Sequence, residues 1–195
     1  MRRCAGCSRA WAWMATDAES SSLRRLFFAL VPAPEQRAAL ARAVSALRPG
    51  ARPVAAAHLH MTLAFLGSVD AQRERLAEAA AEQVHGAPFE LDLHRVDHWA
   101  RLRVLWCAAT PAPAALFALH SALAGGLRAA GFDLDRRPFS PHVTVARNAV
   151  HYHGPGRLPV PVRWQVDAFQ LVESTTAPAG AVYRVCRVFR LQPAA

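Results

Sequence analysis

The sequence predicts an α+β domain of two similar antiparallel-sheet lobes with helices on the outer faces, and three observations carry that prediction. Strand-like and helix-like segments follow one another as strand, helix, strand in the first half and again in the second. The repeated unit keeps its length, 33 residues from Phe27 to His60 and 38 from Val104 to His142. Each copy closes on the same short string, His-x-Thr-aliphatic-Ala. Each sheet of such a pair needs helices to cover one of its faces, which the repeated unit supplies.

Taken in order, Arg25 to Val31 is apolar and aromatic with prolines behind it, the pattern of a buried strand. Pro34 opens a helix in which Leu40, Val44 and Leu47 recur at helical spacing, closed by Pro49-Gly50. Leu59 to Leu66 is a second strand, ended by Gly67-Ser68. Asp70 is the N-cap of a second helix running to about His85, with Leu76 and Val84 on its apolar face. Phe89 to Leu93 alternates with period two, as a half-exposed strand does. The second half continues with a strand from Arg103 to Ala108 and a helix from Pro113 to Ala130, with Leu116, Leu119, Leu123 and Leu127 in register and Gly131 past its end. A strand from His142 to Ala146 follows, and Trp164 to Glu173 and Ala181 to Leu191 supply two more, the last marked by Tyr183, Val185 and Val188.

Composition bounds the possibilities. With 195 residues, 53% of them apolar, the chain can bury a full core without metal or disulfide support, and whole-chain disorder is excluded. Its longest uncharged apolar runs, such as Leu26 to Ala33, fall far short of the roughly 20 residues of a membrane-spanning helix, so no transmembrane anchor is expected and a membrane is not carried forward as a partner. The 23 basic residues are all arginine and Ala fills 42 positions, a bias that suits a GC-rich coding sequence, so arginine in place of lysine carries no message of its own. The net charge of +9 does: it favours an anionic partner such as nucleic acid, a phosphorylated small molecule or a membrane surface.

Residues 1–22 lack periodicity and are expected to be a disordered extension ahead of one domain over residues 23–195, with Met14 an alternative start. The twin arginines Arg24-Arg25 suggest an export signal, but Pro32 and Pro34 interrupt the apolar stretch behind them, and a first core strand in a cytoplasmic protein is the better reading. Cys4-Ala5-Gly6-Cys7 has half the spacing of a zinc site without the other half, while Cys107 and Cys186 lie in strand-like runs as reduced thiols. His151-Tyr152-His153 lacks accompanying carboxylates and belongs to a surface loop. No metal or cofactor is expected.

The chemistry is concentrated in His60-Met61-Thr62-Leu63-Ala64-Phe65 and His142-Val143-Thr144-Val145-Ala146-Arg147. In a strand, residues i and i+2 share a face, so His60 projects with Thr62 and His142 with Thr144, while Leu59, Met61 and Leu63 turn to the core. If the two strands oppose those faces, two imidazoles and two hydroxyls share one cleft. Imidazoles with ordinary pKa values near ~6.5 supply an acid and a base together near neutral pH. Phosphodiester cleavage needs both: one imidazole takes a proton from attacking water, the other protonates the departing alkoxide, and hydroxyls hold the non-bridging oxygens. Arg136-Arg137, just before the second string, either lines the cleft mouth for phosphate or forms a solvated charged turn.

These strings, with Arg25-Leu26-Phe27-Phe28-Ala29-Leu30, Arg103-Val104-Leu105-Trp106, Arg137-Pro138-Phe139-Ser140-Pro141 and Leu171-Val172-Glu173-Ser174 in the same order, resemble the RNA 2′,3′-cyclic phosphodiesterases, also called 2′-5′ RNA ligase-like proteins, of the two-histidine (2H) phosphoesterase superfamily. The resemblance covers nearly all of residues 23–191. It implies a bilobal fold with a central cleft and metal-free hydrolysis of an RNA or nucleotide 2′,3′-cyclic phosphate end to a 2′-phosphate, with reverse 2′-5′ ligation as a companion activity and a monomer as the working form. It implies His60 as general acid, His142 as base, Thr62 and Thr144 as phosphate-oxygen donors, Phe65 as a base-stacking ring and Arg147 as a phosphate contact. Strict alternation puts Phe65 and Arg147 on the wrong face, so a strand end, bulge or twist is expected there. Arg137 is carried as a further substrate contact. The sequence departs from the family in having Pro53 where a Trp is usual and His58 where an Asn is usual. His58 either perturbs His60 and joins the substrate contacts, or is a solvated strand-edge residue. A cyclic phosphodiesterase acting on a small nucleotide such as ADP-ribose cyclic phosphate, and a non-catalytic RNA-binding module, are the alternatives.

Overall fold

The computed structural model describes residues 23–48, 50–150, 152–177 and 180–193. The extension over residues 1–22, with Cys4 and Cys7, and also His151 lie outside the described residues. Among the described residues nine strands and three helices follow in chain order: β1 (Arg24–Leu30), α1 (Pro34–Ala46), β2 (Arg52–Pro53), a 3-10 turn (Ala56–His58), β3 (Met61–Val69), α2 (Ala71–Glu82), β4 (Phe89–Trp99), β5 (Val104–Ala108), α3 (Ala114–Ala129), β6 (Val143–Arg147), β7 (Arg157–Val166), β8 (Ala168–Ala177) and β9 (Gly180–Arg190).

The strands form one antiparallel path, β7-β4-β5-β6-β3-β1-β8-β9, with β2 beside β6. The two expected lobes are its two four-stranded halves. They meet where β3 and β6 pair at a single position, Met61 opposite Val143. Beyond it β2 takes up the free edge of β6, with Arg52 opposite Arg147 and Pro53 opposite Ala146. The repeated units therefore join edge to edge at the residues that follow each histidine.

Burial explains the two faces. On β1, Leu26, Phe28 and Leu30 enter the main core, while Phe27 and Ala29 form a second cluster with Val172 on the opposite face. The main core is closed by the helices. All four leucines of α3 expected to face inward, Leu116, Leu119, Leu123 and Leu127, are buried. Removing four leucine side chains from water at about 1.5–3 kcal/mol each is what holds this helix against the sheet. The helices cross between halves, however. Helix α1 follows β1 but packs on β7 and the 3-10 turn, and α3 follows β5 but packs on α2 and β3. Helices α1 and α3 thus each cover the half they do not belong to, while α2 stays with its own half against β3.

Several boundaries differ from expectation. Strand β3 runs on to Val69 through Gly67, which adopts φ +76° at a bulge where Leu26 and Phe27 pair with Gly67 and Phe65. Helix α2 is capped as expected, the Asp70 carboxylate accepting from the Arg73 N–H at 2.8 Å, but ends at Glu82. Its buried face is Ala77 and Ala81, and Leu76 is 44% exposed. Small side chains let α2 lie close to α3, which places Leu76 on the outer side. The expected strand from Trp164 to Glu173 is two strands, broken at Asp167 and belonging to opposite halves of the sheet. Strand β7 carries Pro159 and Pro161, which an edge strand tolerates where a central one does not.

Candidate active site

The two His-x-Thr strings line one cleft of about 600 Å³. With Met61 opposite Val143 in an antiparallel pair, the neighbouring positions bring His60 abreast of Thr144 and Thr62 abreast of His142. Met61 and Val143 are buried, so these four neighbours share the opposite, cleft-facing side. Hydroxyls and imidazoles alternate around a single point.

The imidazoles are held alike. His60 Nδ1 lies 2.7 Å from the carbonyl oxygen of His58, and His142 Nδ1 lies 2.8 Å from that of Ser140. A carbonyl oxygen only accepts, so each Nδ1 carries hydrogen, and each Nε2 is left to the cleft as the atom that gains or loses a proton. Aromatic rings grip both. The ring of His60 sits 5.0 Å from Phe27 and 5.1 Å, edge-on, from Tyr183. His142 meets Trp99 edge-on at 4.6 Å, with Trp106 at 6.4 Å. This apolar packing covers part of each ring, and burial pushes both pKa values below the ordinary 6.5. The carbonyl bonds oppose that shift at both residues. His60 is lowered further by the positive charges of Arg147, His142 and His58.

Phe65 and Arg147 reach the cleft because both strings bulge at the same place. Opposite β1, Phe28 pairs with Ala64 and Ala29 with Thr62, leaving Leu63 as an extra residue. Opposite β5, Leu105 pairs with Ala146 and Trp106 with Thr144, leaving Val145 extra. One extra residue inverts the alternation, so Phe65 rejoins the face of Thr62 and Arg147 that of Thr144. Both line the cleft, and the guanidinium of Arg25 lies 4.9 Å above the Phe65 ring.

Arg137 is elsewhere. Its guanidinium is bound by the Asp135 carboxylate at 2.9 Å through Nε and 2.5 Å through Nη2, and its side chain is 85% exposed. Arg136 faces Asp133 at 4.0 Å. Of the two expectations for this pair, the solvated charged turn is the one present. His58 ends the 3-10 turn rather than lying in a strand, and it lines the cleft half-buried with its ring edge-on to Tyr183 at 5.1 Å. Sequence reasoning missed the walls formed by Phe27, Trp99, Tyr183, Arg25 and Arg52. Tyr183 stood out as a strand marker and as part of the closing motif of the family resemblance, without a role in the site, and nothing local indicates that β9 folds beside β3's histidine. Among the described residues no cluster of His, Cys, Asp and Glu side chains is arranged to hold a metal ion.

Comparison with known proteins adds three findings. The model of the 2′-5′ RNA ligase superfamily matches residues 32–177. The sequence is 37% identical over 131 residues to the RNA 2′,3′-cyclic phosphodiesterase of Escherichia coli (66% of this chain, 74% of that protein) and 31% identical over 182 residues to that of Thermus thermophilus (86% and 90%). The crystal structure of E. coli LigT complexed with 3′-AMP superposes with a TM-score of 0.81 at 30% identity, covering 87% of this chain and 98% of the other.

Proposed function

The chain belongs to the 2′-5′ RNA ligase superfamily, and from that premise we propose that it is an RNA 2′,3′-cyclic phosphodiesterase working through two imidazoles. The observation that carries the mechanism is the matched pair of Nδ1–carbonyl bonds, which leaves two Nε2 atoms for one cleft. The cyclic phosphate sits between the His-x-Thr pairs. His142 Nε2 takes a proton from water as the water oxygen bonds to phosphorus. The bond from phosphorus to the ribose 3′ oxygen breaks, and His60, protonated on both nitrogens, gives its Nε2 proton to that oxygen. The product is a 2′-phosphate beside a free 3′-hydroxyl. Thr62 and Thr144 donate to the non-bridging oxygens, where charge accumulates. His142 ends charged and His60 neutral, and solvent restores the starting states.

Burial and positive neighbours push the His60 pKa below 6.5, and an arriving phosphate anion acts the other way, favouring the protonated ring that donates to the leaving oxygen. Phe65 stacks on the terminal base and Arg147 contacts a phosphate of the substrate, roles supported by their bulge-enabled positions in the cleft. Because proton transfers are reversible, a 5′-hydroxyl in place of water lets the same pair join a cyclic-phosphate end in a 2′-5′ bond. The free thiols of Cys107 and Cys186 suit the cytoplasm.

An oligonucleotide ending in a 2′,3′-cyclic phosphate tests the reaction. Conversion to a 2′-phosphate end, undiminished by EDTA, is expected. No ring opening, a 3′-phosphate product, or loss of activity in EDTA would each contradict the proposal.

A further inference from the structure

We propose that Arg52, together with Arg147, forms a second phosphate subsite beside the reaction centre, which takes the 5′-phosphate of the nucleotide bearing the cyclic phosphate. The inference rests on the cyclic phosphodiesterase reading and names the substrate class it favours: one with a further phosphate on the 5′ side. Arg52 is not part of either His-x-Thr string.

Its placement is unusual. Arg52 and Arg147 are direct partners across the β2–β6 pair, and cross-strand partners project to the same side. Like charges set opposite each other destabilise a sheet. Nevertheless β2 is fixed there, with Pro53 opposite Ala146 and the Val54 N–H donating to the Val145 carbonyl at 2.9 Å. Outside the cleft, Arg24, Arg95, Arg184 and Arg187 are held by carboxylates. Among the described residues neither Arg52 nor Arg147 has an ion-pair partner, and no acidic residue lines the cleft that both enter. A bound anion is the partner that would relieve the repulsion, and two guanidinium forks on one side suit a phosphate well.

The site is separate from the scissile position but near it. Arg147 lies three residues beyond Thr144, with one residue taken up by the bulge, a span of about 7–10 Å at ~3.3 Å per residue. That is of the order of one nucleotide's length. The charge of Arg147 is also felt at His60, on the leaving-oxygen side where the substrate's own nucleoside sits. A cleft of about 600 Å³ leaves room for more than the cyclic phosphate itself.

The 5′-phosphate could belong to an RNA chain or to a free nucleotide, and three substrates separate them: a nucleoside 2′,3′-cyclic phosphate with a free 5′-hydroxyl, its 5′-monophosphate, and a dinucleotide ending in the cyclic phosphate. The wild type should prefer substrates with the second phosphate by roughly tenfold or more in kcat/KM. Arg52→Ala should collapse that ratio by about tenfold, Arg52→Lys should restore part of it, and the slope of log kcat/KM against log salt for the dinucleotide should fall by about one. Equal preference for both phosphorylated substrates supports the subsite with a nucleotide as its ligand; preference for the dinucleotide alone supports it with an RNA chain. A fall by one common factor on all three substrates, or an unchanged ratio, overturns it. If the wild type opens none of the three, the reaction reading fails instead. The subsite is then judged by binding of a nucleoside 2′,5′-bisphosphate against a 2′-phosphate: a preference lost in Arg52→Ala supports it, and no preference overturns it.

Discussion

Each catalytic imidazole is fixed by two kinds of neighbour, a main-chain carbonyl that sets the tautomer and aromatic rings that cover part of it. The pH dependence follows from both. Activity needs His60 charged and His142 neutral, and in the free protein both pKa values lie below 6.5. The bell of kcat/KM, which reports the free enzyme, should therefore centre on the acid side of 6.5. A bound phosphate anion favours imidazolium and raises both values, so the kcat bell should lie at higher pH. Coincident bells, or the reverse order, would show that burial does not set these proton affinities. The histidines and threonines were legible in the sequence because alternation alone puts them on one face. Phe27, Trp99 and Tyr183 were not, since their contacts with the imidazoles arise from strand order, which no local pattern encodes.

At the level of elements, Glu173 fastens one half of the sheet. Its carboxylate on β8 receives Arg24 of β1 at 3.0 Å and Arg184 of β9 at 2.7 Å, and Arg24 also reaches Glu74 of α2 at 2.5 Å. The Arg24 guanidinium, with Arg184, holds the Glu173 pKa below its usual 4.5. A depressed carboxylate pKa contributes stability that is present above 4.5 and lost as pH falls through the folded-state value. Glu173→Gln should thus cost about 1–3 kcal/mol near pH 7, with a gap to wild type that closes below about pH 4.5. Chemical denaturation across that range measures it, and a pH-independent gap would contradict the ionic role. Elements whose cues agree, such as β1, β6 and α3, were legible. Strand β7 was not, because Pro159 and Pro161 resemble a loop until its edge position is known, and β2 is too short to leave a pattern. The paired bulges at Leu63 and Val145 were expected only as some departure from alternation; the strand partners locate them.

Over the whole molecule, two repeated units meet at Met61 and Val143, α1 and α3 each pack on the half they do not belong to, and residues of both halves share one main core. Thermal unfolding followed by far-UV circular dichroism should show one cooperative transition, and two separable ones would mean that the halves are independent. The charge of +9 gains a local meaning as well, in a cleft that among the described residues is lined by three arginines and no carboxylate. The central claim, that two histidines act as one acid–base unit, is tested most directly by single-turnover opening of a cyclic-phosphate oligonucleotide. His60→Ala and His142→Ala should each lower the rate by about 10²–10⁴-fold, with the double variant little worse than either, because groups that act together lose their effect together. Either single variant retaining a rate within a few-fold of wild type would contradict the mechanism.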